Sequence, residues 1–249
     1  MSMSLDLARA LDQTLIASDC GIILDKWQRD LMRSSAPRVL LLCSRQSGKT
    51  TTTSFIGLST AIYKPGSLTL ILSPSQRQSA EMQRTIMGFH AKLQGAPTLT
   101  QESILKSEFS NGSRILALPG TEKTIRGYAA ADLIIIDEAA RVEDELLAAV
   151  RPMLATSKGR LIALTTPAGK RGWFFDSWTT GGDDWHRVRV PASDCPRITP
   201  EFLAEELREL GAMRFSEEYG LEFRDSLEAA FPETIIRNAF STEVMPLWA

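Results

Sequence analysis

Two groups of residues have the types and spacing needed for phosphate chemistry. The first is Gly48-Lys49-Thr50, which follows the apolar run VLLLC and the polar turn SRQS. The backbone N–H groups of such a turn, a lysine and the start of a helix can together surround an anionic triphosphate. The second group is Asp137-Glu138, at the end of the apolar run LIII. Carboxylates at the end of a buried strand can hold a magnesium ion and orient a water molecule.

The loop departs from the phosphate-binding pattern G-x-x-x-x-G-K-[ST] at its first position, where Cys43 stands. A residue that tolerates positive φ is then missing from that turn. A polar turn that contains Gly-Lys-Thr by chance is the alternative. Nucleotide binding is favoured because a strand-like run precedes the loop and a helical segment follows it, from Thr51 to about Ile62. The residues predicted to contact nucleotide here are Ser44, Gln46, Ser47, Gly48, Lys49, Thr50 and Thr51.

The two acids divide the remaining chemistry. We expect Asp137 and the Thr50 hydroxyl to hold Mg²⁺, and Glu138 to polarise the water that attacks the γ-phosphate. The alternative is that both acids only begin the following helix, where negative charge offsets the helix dipole. Residues 143–145, Glu-Asp-Glu, fit that role better because they directly precede the helical LLAAVRPML. The predicted ligands are therefore ATP and Mg²⁺.

Two further polar positions flank this chemistry. Gln28 precedes the loop, and its amide could read the hydrogen-bonding edge of adenine; an exposed glutamine beside a buried Trp27 is an equal alternative. Thr165 and Thr166 end the strand-like GRLIALTTP. Hydroxyls beside a γ-phosphate could sense its loss and move the following segment, although a plain strand-to-loop turn fits the same residues.

The elements that must position these residues alternate between strands and helices. Strand-like runs at residues 38–43, 67–73, 132–137 and 159–167 predict an α/β, mostly parallel sheet flanked by helices. Asn111-Gly112 between two apolar runs predicts an antiparallel hairpin. A single amphipathic helix is expected over residues 5–16, and Ser75 is expected to cap a helix that runs to about Leu93.

The C-terminal third of the chain has helical patterns rather than the alternation of strands and helices. Thr199-Pro200 predicts a helix start, Gly211 its end, and a second helix is expected over MRFSEEYGLEF. We therefore divide the chain into a phosphate-loop core, residues 1–167, and a small lid subdomain with a linker, residues 168–249. Helical spacing places three aromatic residues on one side of a helix, which predicts core packing rather than base stacking: Trp173, Phe174 and Trp178.

Composition excludes several classes of protein. The 249 residues carry 28 basic and 30 acidic side chains, a net charge of −2, and include three separated cysteines and two isolated histidines. This predicts neither a disulfide framework nor a Cys-x-x-Cys zinc site. No apolar run approaches the roughly 18 residues of a membrane span, so no membrane partner is expected. A DNA-binding surface would have to be a local basic face or the centre of a ring, because the overall charge is not basic.

Taken in order, LDKWQ, CSRQSGKTTT, TIRGYAAADLIIIDEAA, LTTPAGKRGWFFDSW and EEYGLEF resemble the ATPase domain of the large terminase subunit of tailed bacteriophages, from about Gln28 to Phe231. The resemblance implies a RecA/ASCE-type fold and a motor that packs double-stranded DNA in the cytoplasm of an infected host. It also implies a homo-oligomeric ring on a capsid portal, with the portal protein and the small terminase subunit as partners.

The resemblance also assigns roles to residues. Gln28 resembles the adenine-recognising glutamine, Lys49 and Thr50 the phosphate-loop pair, and Asp137 and Glu138 the magnesium-binding and catalytic acids. The remaining assignments give Arg45 as a phosphate-loop arginine, Arg126 as an arginine that contacts nucleotide or a neighbouring subunit, Thr165 and Thr166 as the coupling motif, and Arg114, Arg84 and Lys106 as other candidates for an arginine-finger role.

Complete large terminases carry a nuclease domain with clustered metal-binding aspartates after the ATPase domain. The sequence stops shortly after AAFPETII and contains no such cluster, so we expect no DNA cleavage by this chain. Two other functions remain open from the residues alone: a DNA helicase or remodelling ATPase, and a structural module gated by nucleotide without turnover. A helicase would need a second RecA-like lobe, for which the chain has little room.

Overall fold

The computed structural model describes residues 3–224. The expected linker, residues 225–249 with AAFPETII, lies outside the described residues. The described part of the chain contains no helix with both the length and the apolar character to cross a bilayer.

An eight-stranded sheet forms the centre of the molecule, in the order β3-β4-β5-β2-β6-β7-β1-β8. All pairings are parallel except those of β4 with β3 and with β5. The α/β, mostly parallel sheet predicted from the sequence is confirmed. The strands are β1 Arg38–Cys43, β2 Leu68–Ser73, β3 Leu99–Glu102, β4 Lys106–Phe109, β5 Arg114–Pro119, β6 Leu133–Asp137, β7 Arg160–Thr165 and β8 His186–Val190.

Helices cover both faces of the sheet, which explains why the central strands are continuous apolar runs. Leu41 in β1 packs into the core with α2 to α5, whereas its neighbours Leu40 and Leu42 pack with α6 to α8. The helices are α1 Met3–Leu11, α2 Thr14–Asp19, α3 Lys26–Arg33, α4 Lys49–Tyr63, α5 Gln76–His90, α6 Glu122–Ile125, α7 Asp144–Ser157, α8 Gly172–Thr180 and α9 Pro200–Glu218.

Several local predictions are confirmed. Ser75 accepts a hydrogen bond from Gln78 N–H at the start of α5, and Thr199 accepts one from Phe202 N–H at the start of α9. Gly211 interrupts α9 with φ 73° and ψ 160°. The Asn-Gly turn joins the antiparallel strands β4 and β5. The aromatic cluster lies in the core: Trp173 and Phe174 are buried, and Phe174 stacks on Trp178.

The prediction of a single opening helix over residues 5–16 is wrong. The chain forms two helices, because the Asp12 carboxylate accepts hydrogen bonds from both the backbone N–H (3.1 Å) and the hydroxyl (2.7 Å) of Thr14. This local side-chain contact competes with the helical backbone pattern, and the second helix begins at Thr14. Leu11 is consequently 80% exposed, whereas Ile16 is fully buried.

Two strands were not predicted. β3 pairs with β4 beyond the hairpin, and β8 extends the sheet beside β1, from Val39 opposite His186 to Cys43 opposite Val190. Residues 186–190 are therefore part of the main sheet although they follow the boundary expected at residue 167. The division of the chain into a core and a lid stays a prediction.

Candidate active site

The phosphate loop, residues 44–48, joins the end of β1 to the start of α4. Its left-handed positions are Gln46, with φ 56°, and Gly48, with φ 90°. Cys43 is instead the last residue of β1 and is fully buried between neighbouring strands. A glycine is therefore not needed at position 43, because the chain turns later. This resolves the departure from the phosphate-binding pattern.

The loop's own contacts fix its shape. Ser44 N–H donates to the carbonyl of Val190 in β8, and the Ser47 hydroxyl donates 2.9 Å to the carbonyl of Ser44. Lys49 and Thr50 then begin α4, a 15-residue helix whose N-terminus faces the loop. Such a helix start presents unpaired N–H groups and the positive end of the helix dipole to an anion.

The sheet order brings the two acids to this loop. β7 lies between β1 and β6, so Asp137 and the phosphate loop share the carboxyl edge of the sheet. The Lys49 ammonium lies 3.4 Å from Oε1 of Glu138. Lys49 and Glu138 are 89 positions apart and come from two sequence patterns, and the fold brings them to one place.

Asp137 and Glu138 occupy different environments. Asp137 is buried, and its carboxylate accepts the Glu138 N–H at 2.9 Å. Burial, and then the negative charge of Glu138, raise the pKa of Asp137 to about 6, while Lys49 opposes the rise. Glu138 is partly exposed and adopts left-handed backbone angles, φ 50° and ψ 44°. Such angles are uncommon outside glycine and are often found at functional sites.

The end of β7 supplies the two threonines between these groups. Thr165 lies opposite Leu42 in β1, and both Thr165 and Thr166 are buried. The Thr165 hydroxyl donates to the carbonyl of Thr166 at 2.7 Å and accepts the Ala140 N–H at 3.3 Å. The end of β7 is therefore hydrogen-bonded to the segment that follows the acids.

Gln28 is in the predicted neighbourhood, but both ends of its amide are bonded within the protein. Its oxygen accepts the Asp25 N–H at 2.8 Å, and its nitrogen donates to the Thr52 hydroxyl at 2.9 Å. The side chain is almost fully buried. Recognition of adenine by Gln28 stays a prediction, and it requires this amide to exchange its present partners.

Arg45 is also paired within the protein. Its guanidinium donates to both carboxylate oxygens of Glu218, at 2.7 and 3.0 Å, and its backbone N–H donates to the Glu218 carbonyl at 3.3 Å. Glu218 is the last residue of α9. The phosphate loop is therefore held to the helix predicted to belong to the lid.

The predicted arginine-finger candidates are not gathered at this site. Arg126 pairs with Glu122 in α6, and Arg84 pairs with Glu81 in α5. Lys106 pairs with Glu108, and Arg114 is an exposed residue of β5. Their roles stay predictions.

Two arginines at the site were missed. Arg141 donates to Oε2 of Glu138 at 2.5 Å and to the Thr166 hydroxyl at 3.3 Å. Arg197 donates to the Ser47 carbonyl at 3.0 Å and to the Asp25 carboxylate at 2.9 Å. Arg141 could have been predicted from its position three residues after Glu138. Arg197 is an isolated arginine after β8, and no sequence pattern pointed to it.

The chain is similar to known large terminases. A family model described as terminase large subunit, T4likevirus-type, N-terminal, matches residues 40–237. The terminase large subunit of Thermus phage G20c is 23% identical over 240 residues, covering 82% of this chain and 49% of that protein. The corresponding protein of Thermus virus P23-45 matches to the same extent. The chain thus spans about half the length of these curated relatives.

Solved structures support the same fold. The large terminase ATPase domain of Thermus phage P74-26 aligns with a TM-score of 0.71 and 21% identity, covering 83% of this chain and 96% of that one. The large terminase of bacteriophage D6E in complex with ATP-gamma-S aligns with a TM-score of 0.65 and 12% identity, covering 81% and 53%. Since the family model matches most of its length, the chain belongs to the family of terminase large subunits, T4likevirus-type, N-terminal.

Proposed function

We propose that this chain is a Mg²⁺-dependent ATPase that drives translocation of double-stranded viral DNA into a procapsid. The observation that carries the proposal is the approach of Lys49, which directly follows the phosphate loop, to Glu138, which directly follows β6. Membership of the terminase large subunit family supports it. The D6E large terminase has been solved with ATP-gamma-S, which supports nucleotide binding by a protein of the same fold.

In this proposal the phosphate loop binds the β- and γ-phosphates. The N–H groups of residues 44–48 and the N-terminus of α4 supply fixed dipoles whose positive ends would face the phosphates. Lys49 and Arg45 add two positive charges. Arg45 must first leave Glu218, so phosphate binding competes with the contact between the loop and α9.

The residues present fit a magnesium ion. Asp137 offers a buried carboxylate with its pKa raised, and metal binding would compensate for the unfavourable burial of its charge. Among the described residues, no group of three or more His, Cys, Asp or Glu side chains could hold a metal alone. Mg²⁺ commonly uses one or two protein ligands together with substrate phosphates and water. Asp137 and the Thr50 hydroxyl would hold it, and the ion would neutralise charge on the phosphates.

Glu138 is proposed to orient the attacking water. One of its oxygens lies near Lys49, which would turn toward the phosphates when nucleotide binds. That movement leaves the oxygen free to accept a hydrogen bond from water. Thr165 and Thr166 would then carry the change at the γ-phosphate into the chain after β7, because Thr165 is hydrogen-bonded to the segment after Glu138.

The partners belong to the same proposal. We infer a homo-oligomeric ring on the capsid portal, in contact with the portal protein and the small terminase subunit, in the cytoplasm of the infected host. Arg126 of one subunit would reach the nucleotide of its neighbour. An arginine supplied in trans increases the rate of related phosphoryl transfers by about 10³- to 10⁵-fold.

Phosphate release tests the catalytic part of the proposal. The chain should hydrolyse ATP only with Mg²⁺ present, and Lys49→Ala should abolish hydrolysis. The matched control is Lys158→Ala, an exposed lysine at the end of α7. Nucleotide binding without any turnover by the assembled protein would instead support a nucleotide-gated module.

Packaging tests the motor part. Procapsids that carry a portal, mixed with the full-length large subunit, should protect double-stranded DNA from nuclease when ATP is present. The same mixture made with the Lys49→Ala subunit should protect none. Protection that is equal with and without ATP would contradict a motor function.

A further inference from the structure

Arg141 makes contacts that the proposed reaction does not yet use. It lies three residues after Glu138, in a short 3₁₀ turn from Ala139 to Arg141. Its backbone N–H donates to the Glu138 carbonyl at 2.8 Å. One guanidinium nitrogen donates both to Oε2 of Glu138 and to the hydroxyl of Thr166. Arg141 thus joins the ends of the neighbouring strands β6 and β7.

The two oxygens of Glu138 have different partners. Oε1 faces the Lys49 ammonium at 3.4 Å, and Oε2 accepts from Arg141 at 2.5 Å. Lys49 follows the phosphate loop at the start of α4 and would gain new partners when a triphosphate binds, whereas Arg141 belongs to the same turn as Glu138. On the proposed function, nucleotide would draw Lys49 away from Oε1 and leave Arg141 on Oε2.

We propose that Arg141 is a positioning residue, which holds Oε2 of Glu138 so that Oε1 faces the attacking water, and which ties Glu138 to Thr166. This inference rests on the proposed function, because it takes Glu138 as the residue that orients water. Its consequence is mechanical as well as chemical. A displacement of Thr166 after phosphate release pulls on the guanidinium and turns Glu138 away from its productive direction.

A simple surface ion pair would not have these features. Pairs spaced by three residues on an exposed helix are common and contribute little. Here the carboxylate is only 21% exposed, and the same nitrogen reaches a buried threonine 25 residues further along the chain. Thr166 is also in the segment predicted to sense the γ-phosphate. The contact therefore links two functional elements rather than two surface side chains.

Substitution of Arg141 separates positioning from folding. Arg141→Gln should lower the single-turnover hydrolysis rate by about 10- to 100-fold, similar to the loss of a partner that orients a functional side chain, while the ATP dissociation constant changes by less than about threefold. Arg141→Lys keeps the charge and should restore part of the rate. The control is Arg151→Gln, which alters an exposed arginine of α7 and should leave both quantities unchanged.

A double substitution tests the link to Thr166. If Arg141 acts through this contact, Arg141→Gln with Thr166→Val should be no slower than the slower of the two single variants. Multiplied losses in the double variant would show that the two residues act independently and would overturn the link.

The remaining outcomes decide between the inference and the proposed function. Hydrolysis that depends on Glu138 but is unaffected by Arg141→Gln would overturn the inference alone. If Arg141→Gln lowers the hydrolysis rate, the ATP affinity and the melting temperature together, Arg141 has a structural role, and this result would also overturn the inference. If Glu138→Gln hydrolyses ATP as fast as the unaltered protein, the proposed role of Glu138 fails, and the role of Arg141 fails with it.

Discussion

At the scale of single residues, the site depends on the contrast between two adjacent acids. Asp137 is buried and its pKa is raised to about 6, because burial and the charge of Glu138 disfavour its ionised form. Glu138 is partly exposed and faces two cations. Neighbouring carboxylates with different surroundings suit different tasks. We infer that Asp137 favours a metal ion, whereas Glu138 remains available to water.

The raised pKa of Asp137 predicts a pH-dependent stability. Since the folded-state pKa lies above its usual 3.8, the favourable contribution of the protonated group is present below about pH 4 and is lost as pH rises through 6. Asp137→Asn should therefore stabilise the nucleotide-free protein at pH 7.5, by roughly 1–3 kcal/mol, and by much less at pH 4.5. Denaturant unfolding at both pH values measures this, with Asp176→Asn, an exposed residue of α8, as the control. An equal effect at both pH values would contradict the prediction.

Substitutions of Cys43 and Lys49 should have opposite effects on ATP hydrolysis and on folding stability. Lys49→Ala should abolish hydrolysis with little change in melting temperature. Cys43→Gly should keep hydrolysis, because the left-handed turns are at Gln46 and Gly48. It should cost roughly 1–2 kcal/mol of stability, since it removes a fully buried side chain from a strand. Paired measurements of phosphate release and thermal unfolding test this; a Cys43→Gly protein that is folded but as inactive as Lys49→Ala would contradict it.

Sequence patterns pointed to residues that the fold brings together, but not to their present partners. Lys49 and Glu138 could be placed together because each ends or follows a recognisable strand. The partner of Arg45, Glu218, lies 173 residues away in the stretch EEYGLEF, and no local pattern connects that stretch with the phosphate loop. Arg197 was missed for the same reason, because an isolated arginine in a loop has no spacing to interpret. Contacts between distant segments depend on the packed fold, which short motifs do not encode.

At the scale of elements, the phosphate loop and α9 are joined by the pair of Arg45 with Glu218. Binding of phosphates by Arg45 competes with this pair. Glu218→Gln should therefore strengthen ATP binding, by about two- to fivefold for an ion pair of this exposure. Titration with a fluorescent ATP analogue measures the change, and Glu209→Gln, an exposed acid of the same helix, is the control. Weaker binding by Glu218→Gln would show that the pair supports the nucleotide-binding shape of the loop.

The elements themselves differed in how well they could be predicted. β2 and β6 are buried throughout, and β1 and β7 are buried after their first residue, so all four read as nearly continuous apolar runs. β8, with the sequence HRVRV, is a short strand beside only β1, and its polar residues hid it among loops. The break after Leu11 was hidden because it depends on contacts of the Asp12 side chain rather than on glycine or proline.

At the scale of the whole molecule, the proposed ring makes each site depend on a neighbour. Hydrolysis per subunit should then rise with protein concentration. Two inactive variants should also complement each other: Arg126→Ala keeps Glu138, and Glu138→Gln keeps Arg126. A mixture of the two should recover part of the rate at concentrations where the unaltered protein is accelerated. Mixtures that stay inactive under those conditions would exclude Arg126 as the arginine supplied in trans.

We propose that the phosphate loop and the end of β6 form one ATP-hydrolysing site. The most direct test is Glu138→Gln, with ATP affinity and single-turnover hydrolysis measured on the same preparation with Mg²⁺. We predict that affinity stays within a few-fold of the unaltered protein while hydrolysis falls by about 10²- to 10⁴-fold, the usual contribution of a positioned general base. Hydrolysis by Glu138→Gln at the rate of the unaltered protein would contradict the claim.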